Sequence, residues 1–167
     1  NSSIINKIHE LEDLAPLHNP INIIGINVSK KYFKKALHYA SFDNGYFKDL
    51  PSYSKTIALP RKIREKFKIQ KYGFHGLNHK YLAETNNSSK RVISVHLGSG
   101  CSVCLSENQK PIDTTMSYSP TSGLIMSTRS GDIDPEIVIN LTRDKNINIE
   151  HLLNYESGLM AISEGTK

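Results

Sequence analysis

The sequence predicts an α/β fold, on three observations. Arg91-Val92-Ile93-Ser94-Val95-His96-Leu97 is rich in β-branched residues and returns through Gly98-Ser99-Gly100 into Cys101-Ser102-Val103-Cys104-Leu105, the pattern of a β-hairpin. Ile4, Ile5, Ile8, Leu11 and Leu14 recur at helical spacing, as do Ile137, Val138 and Leu141. Strands and helices are interspersed along the chain, separated by Pro-, Gly- and Asn-containing breaks, with no repeat of short fixed period.

Taken in order, the first helix spans 4–14 and stops at Ala15-Pro16-Leu17-His18-Asn19-Pro20, because a residue before proline avoids helical backbone. Asn19 suits an N-cap and Pro20 a first helical turn, so a second helix follows, with Ile23, Ile24 and Val28 apolar. Ala36 to Phe42 reads as a short strand that ends at the turn signal Asp43-Asn44-Gly45. Residues 46–60 are loop-rich, punctuated by Pro51 and Pro60, and a lobe boundary is expected here: 1–48 close one lobe and 49–167 begin the next. A basic helix over 61–67 would keep Ile63 and Phe67, four apart, on its dry side. After Tyr72-Gly73-Phe74-His75-Gly76 a helix is expected from about Asn78 to Glu84.

Beyond the hairpin, Glu107-Asn108-Gln109-Lys110 makes another turn and Pro111 to Thr115 a third strand. Thr121 to Asp132 is loop. Asp134-Pro135-Glu136 then supplies a cap, a first-turn proline and an acid that complements the helix dipole. A last helix over 149–157 should end at Gly158, a usual C-cap residue.

Composition narrows the function. At 167 residues with 38 % apolar and 22 % charged residues, the chain can bury a core and lacks the signature of disorder. Its longest apolar runs are too short for a bilayer and its first residues do not form a secretory signal, so a cytoplasmic protein without membrane attachment is expected. The net charge of +5 comes largely from Lys30, Lys31, Lys34, Lys35 and the run Arg61 to Lys68. That run has the spacing of a wet helix face and no accompanying aromatic stacking motif, which argues against a nucleic-acid partner. Cys101 and Cys104 sit three apart in a strand, on opposite faces, and lack further ligands nearby, so they read as small packing residues rather than a zinc or redox site.

Three features could carry chemistry. The Gly98-Ser99-Gly100 turn, directly after His96, can offer backbone N–H groups to an anion, or can be an ordinary hairpin turn. Arg129, in Thr128-Arg129-Ser130-Gly131-Asp132, suits phosphate oxygens, or pairs with Asp132 at the surface. Asp43 stands at a strand end, a frequent place for a functional carboxylate, or uses its side chain to hold the turn. His18 and His75, beside Pro and Gly breaks, are phosphate donors or loop histidines. The residues alone imply an anion-handling α/β protein.

Six segments, in order, resemble the acetate kinase family: Leu14-Ala15-Pro16-Leu17-His18-Asn19-Pro20 with Ile23 to Ile26; Tyr72 to Gly76; His79-Lys80-Tyr81; His96 to Gly100; Asp113-Thr114-Thr115-Met116; and Thr128 to Pro135, the most specific. The resemblance implies actin-like ATPase lobes of the ribonuclease H-like kind, a mixed sheet with flanking helices, here incomplete. It implies reversible phosphoryl transfer from ATP to acetate, giving acetyl phosphate and ADP, with Mg2+, in a homodimer. Propionate is the alternative substrate, and a non-catalytic relic or interaction module of the same fold the alternative role. By position, Asp43 resembles the family's active-site aspartate, His75 and Arg129 its transition-state stabilisers, and His18 a further active-site histidine. His96, Leu97, Gly98, Ser99 and Gly100 resemble its ATP-phosphate segment, and no residue is assigned as a metal ligand. Asn44-Gly45-Tyr46-Phe47 departs from the family pattern beside Asp43. The family's metal-binding glutamate and adenosine segments have no counterpart here, so the 167-residue piece alone is expected to be a poor catalyst.

Overall fold

The computed structural model describes residues 2–10, 19–86 and 88–164. The chain forms two compact units, Asn1–Ser41 and Phe42–Lys167.

In the first unit, α1 (Ser2–His9) packs against α2 (Asn19–Tyr32), burying Ile8 and Ile23. Leu11 and Leu14 of the expected first helix lie outside the described residues. Helix α2 starts at Asn19 itself, one residue before an Asn19 cap would allow, with Pro20 in the first turn as expected. Of the three apolar residues singled out in the sequence only Ile23 is buried; Ile24 and Val28 face outward. The strand expected over 36–42 does not form: Leu37 and Tyr39 are exposed in irregular chain. A strand exists only by pairing, and among the described residues no segment lies alongside to share its N–H and C=O groups.

The second unit is built on a sheet of three strands, β1 (Arg91–Leu97), β2 (Cys101–Glu107) and β3 (Lys110–Thr114), in the order β1-β2-β3. Both pairings are antiparallel, Arg91 opposite Glu107 through Leu97 opposite Cys101, and Cys104 opposite Thr114. The described sheet is therefore a meander where a mixed sheet was expected, because two tight turns connect sequential neighbours and leave no crossover. Asn108 and Gln109, both at positive φ, make the second turn. A bulge between Leu105 and Ser106 shifts the register, and Pro111 is accommodated because β3 is an edge strand.

Alternation along the sheet sorts residues in an unusual way. Ser94, Ser102, Cys104, Ser106 and Thr114 are buried, while Ile93 and Leu97 on the opposite face are exposed. The buried face is covered by α5 (Gly76–Thr85), which turns Gly76, His79 and Ala83 inward, and by the 3-10 helix Gly45–Asp49, which contributes Phe47. Phe47 and Leu50 pack with Cys104 as the apolar centre. Burial pushes the Cys104 thiol up to about 11, so it packs as a neutral small residue. The loop-rich stretch after residue 45, where a lobe boundary was expected, thus lies inside the second unit and supplies its core. Gly73, at positive φ, lets this happen: a Cβ there would sit 2.4 Å from the Phe47 ring.

The remaining elements are short. Helix α3 (Ser52–Lys55) precedes the basic α4 (Arg61–Lys66), whose expected dry residues Ile63 and Phe67 are both largely exposed. A hollow of about 590 Å³ lined by Tyr53, Leu105, Lys71 and Asp113 holds no free charge, since Lys71 and Asp113 pair with each other at 2.5 Å. Helix α6 (Pro135–Leu141) starts as expected, the Asp134 carboxylate accepting the Glu136 N–H at 2.8 Å. Helix α7 (Ile149–Tyr155) ends before Gly158, which instead opens α8 (Gly158–Ile162). The chain continues there because the N–H groups of Leu159 and Met160 are used to hold Met126 and Ser127 by their carbonyls. No helix among the described residues is long and apolar enough to cross a membrane.

Candidate functional site

The site assembles where the start of α5, the β1–β2 turn and the loop before α6 meet. His75 stands immediately before α5 in the left-handed conformation, φ 59° and ψ 26°, which histidine adopts more readily than most residues. A helix start leaves its first N–H groups without intrahelical partners. Here Asp43 takes them: its carboxylate accepts the His75 N–H at 2.6 Å and its carbonyl accepts the Gly76 N–H at 2.8 Å. Asp43 thus holds the backbone that aims His75, and itself stays exposed.

The His75 ring lies against the sheet, Nδ1 2.9 Å from Ser102 Oγ, and stacks on the His96 ring with centroids 3.9 Å apart at 16°. His96 is steadied in turn by Asn78 Nδ2, 3.0 Å from its Nδ1. Beneath both, His79 is fully buried, its two nitrogens each 2.7 Å from a serine oxygen, Ser94 and Ser102. Burial, the neighbouring His96 ring and the Arg129 guanidinium hold His75 below the usual imidazole range, with Asp43 opposing them. His79 is pulled down to about 4, mainly by burial and then by His75 and His96.

Arg129 arrives on a loop stitched in place by backbone bonds. Ser127 N–H donates to Ser99 O at 3.1 Å, Met126 N–H to Arg129 O at 3.1 Å, and Ser130 N–H to Leu153 O at 3.1 Å. Thr128 Oγ1–H donates to Asn154 O at 2.8 Å. The guanidinium donates to Pro120 O at 3.1 Å and has no carboxylate partner among the described residues. Asp132 is occupied instead by the Gly123 N–H, at 2.7 Å, so the expected alternative of an Arg129–Asp132 surface pair is not realised.

The Gly100 turn joins the two sides. A Cβ placed on Gly100 would lie 3.3 Å from Arg129 Nη1 and 3.4 Å from His75 Nε2. One bare glycine is therefore flanked by a guanidinium and an imidazole, with a second imidazole stacked behind, an arrangement suited to an anion with several oxygens. Asp43, His75, His96, Gly100 and Arg129 come together. Ser99 contributes its carbonyl to the arginine loop, and Gly98 N–H is turned onto Gly100 O at 3.0 Å. The Leu97 side chain lies on the opposite, exposed face of the sheet. His18 lies outside the described residues. Sequence reasoning quoted His79 only as part of a family-like segment, and gave no site role to it or to Asn78, Ser94 and Ser102. The i, i+4 spacing of His75 and His79 and the alternation of Ser94 with His96 were the available signals.

A sequence profile of the Acetokinase family matches residues 1–167. The chain belongs to the acetokinase family. An acetate kinase of Protochlamydia amoebophila is 42 % identical over 97 % of this chain, and one of Lachnoclostridium phytofermentans 37 % identical over 98 %. Among solved structures, a propionate kinase from Francisella tularensis superposes with a TM-score of 0.92 at 38 % identity, covering 99 % of this chain. The Porphyromonas gingivalis acetate kinase superposes at 0.87 with 32 % identity over 98 % of the chain. The acetokinase-family fold is thus established for this chain, as part of the actin-like architecture expected of it. The chain spans 43 % and 44 % of the two curated relatives' own lengths, and 45 % and 44 % of the two structures.

Proposed function

We propose that Arg129, His75 and the Gly100 turn form the phosphoryl-handling part of a short-chain carboxylate kinase, which transfers phosphate between ATP and acetate. The observation that carries this reading is the convergence of a guanidinium and an imidazole nitrogen within 3.4 Å of the Cβ position that Gly100 leaves open. Phosphoryl transfer asks a protein mainly for positioning and neutralisation of charge spread over the equatorial oxygens. Arg129, which has no carboxylate partner among the described residues, can donate to those oxygens, and protonated His75 adds a second donor. Acetate is already ionised at neutral pH and needs no general base. Asp43 accordingly serves in this reading as an orienting group, which its hold on the His75 N–H supports.

The family implies magnesium. Among the described residues no group of three or more His, Cys, Asp or Glu side chains could hold a metal ion. Magnesium commonly takes one or two carboxylates together with substrate phosphates and retained waters. The exposed Asp43 carboxylate fits that modest share, for an ion that would arrive with the nucleotide and offset phosphate charge. Propionate is the second reading for the substrate, favoured by the Francisella propionate kinase at a TM-score of 0.92; one methylene changes specificity only modestly. A non-catalytic relic is disfavoured, because the departing stretch Asn44 to Phe47 builds the core through Phe47 rather than dismantling the site.

Hydroxylamine trapping of acyl phosphate, with ATP, magnesium and acetate, propionate or butyrate, tests the activity in the polypeptide that carries this sequence. Arg129→Ala is expected to lower kcat by about 10²- to 10³-fold, and Asp43→Asn to lower kcat far more than ATP affinity. On the 167-residue chain itself, equilibrium dialysis with ATP is expected to show weak binding that Arg129→Ala abolishes. Equal ATP binding by the wild type and Arg129→Ala would remove the site.

A further inference from the structure

His79 does not border the Gly100 turn, yet both of its nitrogens are committed, Nδ1 to Ser94 and Nε2 to Ser102, and the Ser102 hydroxyl leads on to His75. The protons can be followed along the chain of bonds. Ser94 Oγ–H donates to the Cys104 carbonyl at 3.5 Å, within the β1–β2 ladder where the two residues are opposite each other. With that hydrogen so placed the Ser94 oxygen is an acceptor, and a protonated His79 Nδ1, 2.7 Å away, is the polarity that uses the carbonyl contact as well as the serine–histidine bond. Burial keeps His79 neutral, so it carries one N–H and its Nε2 is bare. Ser102 Oγ–H must therefore donate to His79 Nε2 at 2.7 Å. A hydroxyl has one hydrogen, and with it engaged the Ser102 oxygen accepts from His75 Nδ1 at 2.9 Å.

We propose that His79, acting through Ser94 and Ser102, is a positioning residue that fixes neutral His75 as its Nδ1–H tautomer. The consequence falls on the nitrogen beside Gly100. Nε2 of neutral His75 presents a lone pair, and it becomes a hydrogen-bond donor only when the ring takes a second proton. In this tautomer Nε2 faces the Gly100 turn as an acceptor, beside the Arg129 guanidinium that flanks the same glycine. The opposite polarity would have Ser94 donate to His79 and would leave a proton on Nε2 of neutral His75, a donor at any pH. The two directions are thus chemically distinct.

The tautomer itself follows from contacts within the chain, and only its consequence for catalysis rests on the proposed phosphoryl site. Long-range ¹⁵N–¹H correlation spectra of the uniformly ¹⁵N-labelled chain, without ligand and at a pH where His75 is neutral, read the tautomer directly. The expected spectrum has a protonated Nδ1 and a pyridine-type Nε2 for His75. Ser102→Ala removes the acceptor, and His75 is expected to shift to the Nε2–H form that predominates in free neutral histidine. Ser102→Thr, which keeps the hydroxyl on the strand, is expected to retain Nδ1–H. A wild-type His75 protonated on Nε2, or a tautomer unmoved by Ser102→Ala, overturns the proposal. If Ser102→Ala fails to fold, the wild-type spectrum alone decides. Equilibrium dialysis of the same labelled chain with ATP supplies the second readout, with binding expected in the wild type. The expected tautomer with no ATP bound would sink the phosphoryl site and leave the hydroxyl relay standing.

Discussion

Gly100 lacks a side chain for reasons of space rather than backbone conformation. The 3.3–3.4 Å approaches to Arg129 and His75 that a Cβ would make are tight but not prohibitive, since both neighbours are side-chain tips. Gly100→Ala is therefore expected to fold, with a stability loss of about 1 kcal/mol or less, while filling the space an anion would use. ATP binding should fall by about tenfold or more, a cost near 1.4 kcal/mol. Thermal melts and equilibrium dialysis of the same variant separate the two effects, and unimpaired binding would place the anion elsewhere. At this scale the sequence was informative about charged groups and silent about neutral ones. Arg129, His75 and Asp43 announce themselves by residue type and flanking glycines. Ser102 and Ser94 do not, because their roles are set by which face of a strand they occupy and by what α5 lays over them. Asp43 shows a further limit: its bland reading as a backbone holder is realised, and the N–H it holds belongs to His75, the imidazole of the proposed site.

The strands and helices of the second unit were legible because each carries its own local signal. β1 and β2 alternate around a glycine turn, and Asp134-Pro135-Glu136 caps α6 through a measurable bond. The buried face of the sheet was not legible, because hydropathy ordinarily assigns the apolar alternation to the core. Here Ser94, Ser102 and Ser106 go inside with a histidine of α5, and Ile93 and Leu97 go outside. Residues 36–42 failed as a strand for a related reason, since local propensity cannot supply a pairing partner. The polar interior has a cost that depends on pH. His79 titrates near 6.5 when unfolded and at about 4 when folded. Between those values the unfolded chain binds a proton that the folded chain refuses, so stability is fully present above 6.5 and is lost as pH falls towards 4. The full loss is about 3 kcal/mol. His75, shifted in the same direction, adds to it. Urea midpoints measured at pH 7 and pH 4.5 should show this decline, and it should be markedly shallower in His79→Gln, which cannot take up charge. A decline of equal steepness in that variant would remove His79 as its source.

For the molecule as a whole, the same inversion of the sheet leaves an apolar face turned outward. Ile93 is 71 % exposed, Leu97 76 % and Val95 47 %, all on one side of β1. Beside them runs the outer edge of β1, which pairs with no other strand among the described residues. An open edge next to an apolar face is a template for association. The net charge of +5 opposes it, since like charges keep copies apart. Salt discriminates between these forces: screening shortens the reach of the charge to about 8 Å at physiological ionic strength and about 3 Å at 1 M, and leaves apolar attraction in place. Association is therefore expected to strengthen as sodium chloride is raised from 0.05 to about 0.5 M. Light scattering on Ile93→Lys/Leu97→Lys should show the apparent mass falling towards the monomer's 18.8 kDa at every salt concentration. Complexes that dissolve as salt rises, or that persist in the double variant, would instead assign the contact to the basic runs around Lys30 and Arg61. The sheet face would then be tolerated in water without consequence.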